Sequence, residues 1–192
     1  MELSGYTTGG FARGVPAWKE ALWLVAKWAF FQTAIPWPSA LRVSLLRAFG
    51  ARVGNGVVVR SHVNITFPWR LSIGDHVWLG EEVLILSLAA VRIESDVCIS
   101  QRAFLCTGSH RFQTPRFELV TKPITIGRGC WIAAQVFVAP GVTVGPDSML
   151  AAGAVVVEDV PAGVLMQGNP ARVVRTFGRA GEVASQPLSG EG

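Results

Sequence analysis

From residue 53 onward, large apolar residues recur in runs whose members stand six positions apart. These residues are all Val, Ile or Leu, and a small Val, Ala, Ser or Cys follows four positions later in every case except that of Trp69. The fifteen recurring residues are Val53, Val59, Ile65, Ile73, Leu79, Ile85, Ile93, Ile99, Leu105, Ile126, Ile132, Val138, Val144, Leu150 and Val156. A period of six fits neither a helix, with its period of about 3.6, nor simple strand alternation. It predicts short strands separated by turns, three to each coil of a β-solenoid.

The spacing within the repeat gives the length of one coil. Residues 53 and 73 are 20 positions apart, as are residues 73 and 93, so each of these coils holds three units of six and two further residues. Residues 126 and 144 are 18 apart, so that coil holds three units of six. The residue after the large apolar one is often Gly or Ala. We interpret this second position as the corner of the coil, where φ is expected to be positive.

One coil is longer than its neighbours. Residues 93 and 126 are 33 apart, which leaves a surplus of 13 residues over a 20-residue coil, and this surplus falls within 106–123. Loops held on a rigid scaffold commonly carry binding and catalytic residues. We therefore expect the functional site at this excursion, which has His110 near its root.

The pattern divides the chain into three parts. Residues 1–52 are predicted to be a helical cap, because 18–49 reads as two helices separated by prolines. Residues 53–162 are predicted to form the parallel β-helix with its excursion. Residues 163–192 are predicted to be a C-terminal extension that ends in a flexible tail rich in Gly and Ser.

The composition supports one globular domain. The chain has 192 residues, of which 50% are apolar and 16% are charged, and a mean hydropathy of +0.39, which excludes a disordered chain. The most apolar stretch, 15–37, is interrupted by charged residues and prolines. Its longest uncharged run is shorter than the roughly 18 to 20 residues that a membrane span needs, so the stretch can at most lie on a surface.

The net charge of +4 belongs entirely to the N-terminal segment. Residues 1–52 hold six basic and two acidic side chains, whereas the other 140 residues hold eleven of each. A basic segment rich in Trp favours peripheral contact of residues 13–52 with a membrane, or with an anionic partner such as a lipid-linked phosphate. A packed amphipathic cap explains the segment equally well. No nucleic-acid partner is expected.

The cysteines and the N-terminus predict a cytoplasmic protein, with contact at the inner face of the membrane as a further expectation. The three cysteines are odd in number and form no Cys-x-x-Cys pair, so neither a disulfide framework nor a thiolate zinc site is indicated. The first ten residues lack the cationic start and apolar block of a signal peptide. Cys106 is interpreted as a structural corner residue rather than a nucleophile.

The histidines differ in their placement. His62 and His76 each occupy the fourth position of a unit, where side chains point to solvent. His110 lies where the solenoid opens into the excursion, and an imidazole there can take a proton from a hydroxyl group near neutral pH. A loop histidine with a structural hydrogen bond is the alternative.

Five blocks of the sequence resemble the hexapeptide-repeat acyltransferases, most closely the colanic acid biosynthesis and sugar O-acetyltransferase group. The blocks are the root at 105–110, the re-entry at 122–132, the run at 138–145, the exit at 168–172 and a Leu-Leu-Arg-x-Phe-Gly stretch at 45–50. The resemblance covers about residues 40–175. It implies a left-handed parallel β-helix, a homotrimer with active sites between subunits, and acetyl-CoA as the donor.

The resemblance also implies roles for individual residues. His110 matches the catalytic histidine, which removes the proton of the acceptor hydroxyl while the thioester is attacked directly. Ala134 and Ala152 match the small residues beside which the coenzyme lies. Arg172 and Arg175 match cations that meet its phosphate end.

The acceptor pocket of the sugar enzymes is not matched. The polar residues that hold galactoside hydroxyls fall on Gly80 and Leu88 of this chain. We therefore take Glu81 and Glu82, one coil before the excursion, and Arg111 as the candidate acceptor-binding residues. Ordinary surface acids are the equal alternative for Glu81 and Glu82.

The sequence predicts an O-acetyltransferase that moves acetyl from acetyl-CoA to a hydroxyl of a sugar or a glycosylated, lipid-linked acceptor. Three alternatives stay open: transfer to an amine of a sugar nucleotide or to serine, an assembly solenoid without catalysis, and a zinc hydratase like the γ-class carbonic anhydrases. The histidines are 14 and 34 residues apart, unlike the ligand set of those hydratases, so no metal is expected. The length of the acyl group and the role of 111–123 as a lid are left open.

Overall fold

Two helices precede the β-solenoid in the computed structural model, which describes residues 10–177. Helix α1 spans Ala17–Phe30 and helix α2 spans Ser39–Ala48. Pro16 and Pro38 stand directly before them, where a proline suits the start of a helix. The prediction of two helices separated by prolines is therefore confirmed. The predicted flexible tail falls almost entirely outside the described residues.

Within the described part of the chain, seventeen short strands follow the helices, each two or three residues long. They are β1 Arg52–Val53, β2 Val58–Val59, β3 Asn64–Ile65, β4 Leu71–Ile73, β5 Trp78–Leu79, β6 Leu84–Leu86, β7 Val91–Ile93, β8 Cys98–Ile99, β9 Phe104–Cys106, β10 Gly108–His110, β11 Leu119–Thr121, β12 Ile124–Ile126, β13 Trp131–Ile132, β14 Phe137–Val138, β15 Thr143–Val144, β16 Met149–Leu150 and β17 Val155–Val156. Two longer strands end the described chain, β18 Val164–Gly168 and β19 Ala171–Thr176.

Strands from successive coils stack in parallel to form three sheets. Sheet A has the order β1-β4-β7-β12-β15, sheet C has the order β17-β14-β9-β6-β3, and sheet B runs from β2 through β5, β8, β13 and β16 to β18. The recurring residues pair coil by coil, for example Val53 with Ile73 and Ile73 with Ile93. The solenoid predicted from the period of six is confirmed, and β18 carries sheet B beyond residue 162.

The recurring apolar residues fill the interior of the solenoid. Fourteen of the fifteen are buried, and Val53, in the first coil, is half-buried. Trp23, Phe31 and Leu46 of the helical segment are fully buried and join this core. The indole Nε1 of Trp23 donates a hydrogen bond to the Ile65 carbonyl at 3.1 Å. The helices therefore close the open end of the first coil, which would otherwise expose apolar side chains to water.

The expected backbone conformation at the corners is wrong. Positive φ occurs at the fourth position of the units, as at His62, His76 and Glu82, and not at the second position. Glycine occurs at the second position for a different reason, because the backbones of successive coils approach each other closely there. A Cβ on Gly74 would lie 2.6 Å from the backbone nitrogen of Ser95.

Candidate active site

The excursion forms a β-hairpin that projects from the corner between sheets C and A. Strands β10 and β11 pair antiparallel, with His110 opposite Leu119. Buried Thr107 fixes the root, because its Oγ1 donates to the Leu86 carbonyl at 2.6 Å and accepts from the Ala89 amide at 2.9 Å. The hairpin is therefore tied to the preceding coil through hydrogen bonds made at its first residues.

His110 is half-buried and held by Phe117 from across the hairpin. Its Nδ1 lies 2.9 Å from the carbonyl oxygen of Phe117, and the two rings stack with centroids 4.2 Å apart and planes 3° from parallel. A carbonyl oxygen only accepts hydrogen bonds, so Nδ1 carries the proton and Nε2 is the basic nitrogen. The contact fixes both the tautomer and the ring plane of His110.

A cavity of about 410 Å³ adjoins His110. One wall comes from the hairpin and the neighbouring corner of the coils, and the other comes from the N-terminal segment and α1. The first wall consists of Thr66, Phe67, Leu88, His110 and Leu119, and the second of Phe11, Arg13, Glu20, Leu24 and Lys27. The cavity thus joins parts of the chain that are about 90 residues apart in sequence.

The polar groups on the α1 side of the cavity are fixed by hydrogen bonds. The Nη1 of Arg13 forms an ion pair with Oε1 of Glu20 at 2.5 Å, and Nζ of Lys27 donates to Oδ1 of Asn64 at 3.1 Å. Burial lowers the pKa of Lys27 from its ordinary value. The Arg13 carbonyl accepts a hydrogen bond from Nε1 of Trp69 at 2.8 Å, which holds the segment before α1 over the first coils.

Four of the sequence-predicted site residues lie at a different corner, between sheets B and C. Glu81 and Glu82 follow β5, Ala134 follows β13 and Ala152 follows β16. The turns stack coil upon coil through backbone hydrogen bonds, such as that from the Gly153 amide to the Ala134 carbonyl at 2.9 Å. Within one chain, sheet C separates this corner from the hairpin that carries His110.

Each predicted acceptor-binding residue is engaged in an ion pair at the surface. Glu81 pairs with Arg60 at 3.1 Å, and Glu82 pairs with Arg102 at 2.9 Å. The hydrogen bond from Arg102 holds the pKa of Glu82 below its usual value. Arg111 lies 3.6 Å from a carboxylate of the hairpin. Of the described side chains that line the His110 cavity, none belongs to Glu81, Glu82 or Arg111.

The two predicted phosphate-binding cations lie in β19, at the far end of the solenoid from α1. Arg172 and Arg175 are both exposed, and strand β19 pairs antiparallel with β18 at the edge of sheet B. Nη1 of Arg172 donates to the carbonyl of Ala171 at 2.9 Å. Both guanidinium groups are therefore accessible to an anion.

The α1 wall of the cavity and the contact of Phe117 with His110 were not predicted from the sequence. Glu20, Leu24 and Lys27 are spaced four and three residues apart, so they share one face of a helix. That spacing was a usable signal. Nothing in the local sequence marks Phe117, whose contact depends on a turn in which its own φ is +48°.

Within residues 10–177 no group of three or more His, Cys, Asp or Glu is arranged to hold a metal ion. The three cysteines are free, and Sγ of buried Cys106 donates to the Gly108 carbonyl at 3.1 Å. Burial raises the pKa of the Cys130 thiol. Over the same residues, no helix is long and apolar enough to cross a membrane.

Comparison with known proteins gives consistent matches over nearly the whole chain. Residues 123–157 match the family described as bacterial transferase hexapeptide (six repeats). A protein of Escherichia coli (strain K12) named as the colanic acid biosynthesis acetyltransferase WcaF is 43% identical over 91% of this chain and 96% of its own length. The galactoside O-acetyltransferase of the same strain is 31% identical over 70% of this chain and 68% of its own length.

Two solved structures share the fold. A hexapeptide-repeat acetyltransferase of Vibrio cholerae in complex with acetyl coenzyme A has a TM-score of 0.79 and 29% identity, and the match covers 93% of this chain and 99% of that one. A galactoside acetyltransferase in complex with coenzyme A has a TM-score of 0.75 and 28% identity over 83% of this chain and 81% of its own. The predicted left-handed parallel β-helix with N-terminal helices is confirmed.

Proposed function

Because the chain belongs to the hexapeptide-repeat acetyltransferases, as its 43% identity over 91% of its length to one of them shows, we propose that it transfers acetyl from acetyl-CoA to a hydroxyl group of a sugar-containing acceptor. The chain is an acetyl-CoA-dependent acyltransferase. The observation that carries the proposal for the reaction is His110, whose tautomer is set by the Phe117 carbonyl and which adjoins a cavity of about 410 Å³.

In the proposed reaction His110 is the general base. Its Nε2 takes the proton of the acceptor hydroxyl while the hydroxyl oxygen attacks the thioester carbonyl carbon of acetyl-CoA. The tetrahedral intermediate collapses with cleavage of the carbon–sulfur bond, and the imidazolium returns the proton to the leaving thiolate. The products are the acetyl ester and free coenzyme A, with no covalent enzyme intermediate. The Phe117 carbonyl stabilises the imidazolium by accepting the hydrogen bond from Nδ1.

For the coenzyme we propose a track along the corner between sheets B and C. The small side chains of Ala134 and Ala152 stand on successive coils of this corner and would let the pantetheine approach the backbone. Arg172 and Arg175 of β19 would meet the phosphates at the end of the track, because exposed guanidinium groups bind phosphate with paired hydrogen bonds.

A homotrimer is proposed on the contrast between the outer faces of the three sheets. Sheet A presents polar residues, whereas sheets B and C present columns that are mainly apolar. The outward residues are Arg52, Ser72, Arg92, Thr125 and Thr143 on sheet A, Val58, Trp78, Cys98, Trp131 and Met149 on sheet B, and Asn64, Leu84, Phe104, Phe137 and Val155 on sheet C. Trp78 is 60% exposed and Trp131 is 49% exposed. Apolar columns of this extent favour burial between subunits.

The trimer also explains why the candidate residues stand at two corners of one chain. His110 projects beside sheet A, while Ala134 and Ala152 lie across sheet C from it. A site that needs both would be completed when the hairpin of one subunit faces the coenzyme track of the next. Glu81 and Glu82 share the corner of the track, so their predicted acceptor role would likewise require a second subunit.

The acceptor is proposed to enter the cavity between α1 and the hairpin. The ion pair of Arg13 and Glu20 and the ammonium of Lys27 offer hydrogen bonds to sugar hydroxyls, and the apolar side chains of Phe67 and Leu88 offer faces for ring packing. The similar proteins are named for colanic acid biosynthesis and for galactoside acetylation, which supports a sugar acceptor in polysaccharide synthesis. A cytoplasmic location is part of this proposal.

The experiment that tests the reaction is release of free thiol from acetyl-CoA in the presence of candidate acceptors, with the acetylated product identified by mass spectrometry. Sugar hydroxyl acceptors are expected to react. Turnover only with a sugar-nucleotide amine or with serine would replace the proposal with one of its alternatives. Absence of coenzyme A binding in calorimetry would favour an assembly role, and stoichiometric zinc in the purified protein would favour the hydratase.

A further inference from the structure

Helix α1 presents an apolar face to solvent. Trp18, Leu22, Val25 and Trp28 are 65%, 54%, 64% and 71% exposed. Their spacings of four, three and three residues place them on one side of the helix. Single apolar residues scattered over a surface need no explanation, whereas two tryptophans and two aliphatic side chains on one exposed face indicate an interaction surface.

The opposite side of α1 is firmly attached to the first coil. Trp23 is fully buried, and its Nε1 lies 3.1 Å from the carbonyl oxygens of both Ile65 and Thr66. Lys27 adds its hydrogen bond to Asn64 on the same side. The apolar face is therefore held outward by a fixed helix, away from the rest of the core formed by residues 10–177.

We propose that α1 docks the protein on the surface of a membrane that contains anionic lipids. Tryptophan is suited to the boundary between headgroups and acyl chains, because its ring is apolar and its N–H is polar. A helix of 14 residues with this face lies in the interface and does not cross the bilayer.

Charge favours a lipid surface over a second copy of this chain. Residues 10–52 carry six basic side chains and one acid, Glu20, which is paired with Arg13. Because Arg42 is buried, the excess positive charge lies on the other four: Lys19, Lys27, Arg47 and Arg52. Two such segments brought face to face would repel each other, whereas anionic headgroups attract them. The side of α1 that meets the outer column of sheet C, through the hydrogen bond from Lys27 to Asn64, is the side opposite this apolar face.

Docking has a consequence for the acceptor, and this step rests on the proposed function. Leu24 is 51% exposed beside the apolar face and also lines the His110 cavity, together with Glu20 and Lys27. The same helix therefore borders both the membrane and the site. A sugar carried on a lipid would reach His110 without leaving the membrane surface.

The test is co-sedimentation with vesicles of phosphatidylcholine alone and of phosphatidylcholine with phosphatidylglycerol, without substrate. Wild type is expected to bind the anionic vesicles, and the Trp18→Ser/Trp28→Ser variant is expected to bind at least tenfold more weakly. The matched control is Val157→Ser/Val173→Ser, which changes two apolar side chains that are 49% and 47% exposed on the late coils and should bind as wild type does. Circular dichroism and light scattering verify that each variant is folded and has the wild-type subunit number.

Failure to bind anionic vesicles, equal binding by the tryptophan variant, or loss of its oligomer would overturn the docking proposal. Acetyl transfer is then measured with a methyl glycoside in solution and with a long-chain alkyl glycoside embedded in the vesicles. The tryptophan variant is expected to lose at least tenfold in rate on the embedded acceptor only. Equal rates of wild type and the tryptophan variant on the embedded acceptor would reject the lipid-linked substrate. If wild type binds the vesicles but turns over neither acceptor, the proposed reaction is rejected and the docking proposal is retained.

Discussion

The imidazole of His110 is clamped by the backbone and the ring of one residue, Phe117. The carbonyl oxygen of Phe117 lies 2.9 Å from Nδ1, and its ring stacks against the imidazole at 4.2 Å. The first contact selects the tautomer, and the second restricts rotation of the ring. Phe117 therefore sets both the tautomer of His110 and the orientation of its ring.

Replacing His110 with Ala is expected to lower kcat at least about a hundredfold, because the general base is lost. The dissociation constant for coenzyme A should change little, since the proposed contacts to the coenzyme come from Ala134, Ala152 and β19 and not from His110. Thiol release and calorimetry measure the two quantities. His76→Asn is the control, because Asn tolerates the φ of 56° at that exposed corner. Normal turnover in His110→Ala would remove the histidine from the mechanism.

Replacing Phe117 with Gly should distinguish the contribution of the Phe117 ring to kcat from that of its carbonyl group. Glycine keeps the carbonyl acceptor and tolerates the φ of +48°, so only the stacking contact is lost. Such ring contacts contribute about 0.5 to 1.5 kcal/mol, which predicts a fall of up to roughly tenfold in kcat with little change in KM. Phe117→Tyr should retain wild-type kinetics, and a Gly variant with an unchanged kcat would show that the ring has no positioning role.

Replacing Arg175 with Ala is expected to raise the dissociation constant of coenzyme A roughly tenfold, the usual scale for a lost charged hydrogen bond. The value of kcat at saturating acetyl-CoA should stay near that of wild type. Calorimetry with coenzyme A and with its dephosphorylated form shows which phosphate is involved. Arg128→Ala, an exposed cation at a different corner, serves as the control. Identical affinities for both variants would exclude Arg175 from the site.

The trimer proposal predicts opposite outcomes for charges placed on different sheets. Trp78→Asp puts a carboxylate into the apolar column of sheet B and should dissociate the oligomer into monomers, because burying an unpaired charge is costly. Ser72→Asp adds the same charge on polar sheet A, between Arg52 and Arg92, and should leave the oligomer intact. Analytical ultracentrifugation distinguishes these results. A Trp78→Asp protein that sediments like wild type would place the subunit contact elsewhere.

Gly74→Ala should destabilise the fold, because the new Cβ would lie 2.6 Å from a backbone nitrogen of the next coil. Overpacking of this kind costs about 1 to 3 kcal/mol in the free energy of unfolding. Ala151 occupies the same second position in a later coil, so Ala151→Gly is the control, with an expected loss of about 0.5 to 1 kcal/mol. Urea denaturation measures both values, and equal losses would show that coil stacking does not require glycine at residue 74.

The regular part of the fold could be predicted from sequence because every coil needs a large apolar residue at the same inward-pointing positions. A large residue at every sixth position must point inward, so Ile73, Ile93 and Ile126 identify their own stacking partners. The corner conformation was misassigned although a signal existed, since Gly56, Gly129 and Gly153 stand at the fourth position. Glycine there permits positive φ, whereas glycine at the second position permits close stacking.

The candidate site was predictable only in part, because much of it depends on contacts between distant segments. His110 could be identified from its place at the interruption of the repeat. The cavity beside it depends on α1 docking onto the first coil through Trp23 and Ile65, which are 42 residues apart. No local pattern specifies such a contact. The ion pairs of Glu81 and Glu82 similarly arise from stacking of coils that are about 20 residues apart.

The placement of the hairpin and the coenzyme track at different corners has a genetic consequence for the proposed trimer. Each chain would lend its histidine to one site and its coenzyme track to another. In a trimer with two wild-type chains, one chain with lesions in both its hairpin and its coenzyme track would disable two of the three sites, so such alleles would act dominantly over wild type. An allele with a lesion in the hairpin and an allele with a lesion in the track would complement each other, because some interfaces of a mixed trimer would combine an intact hairpin with an intact track.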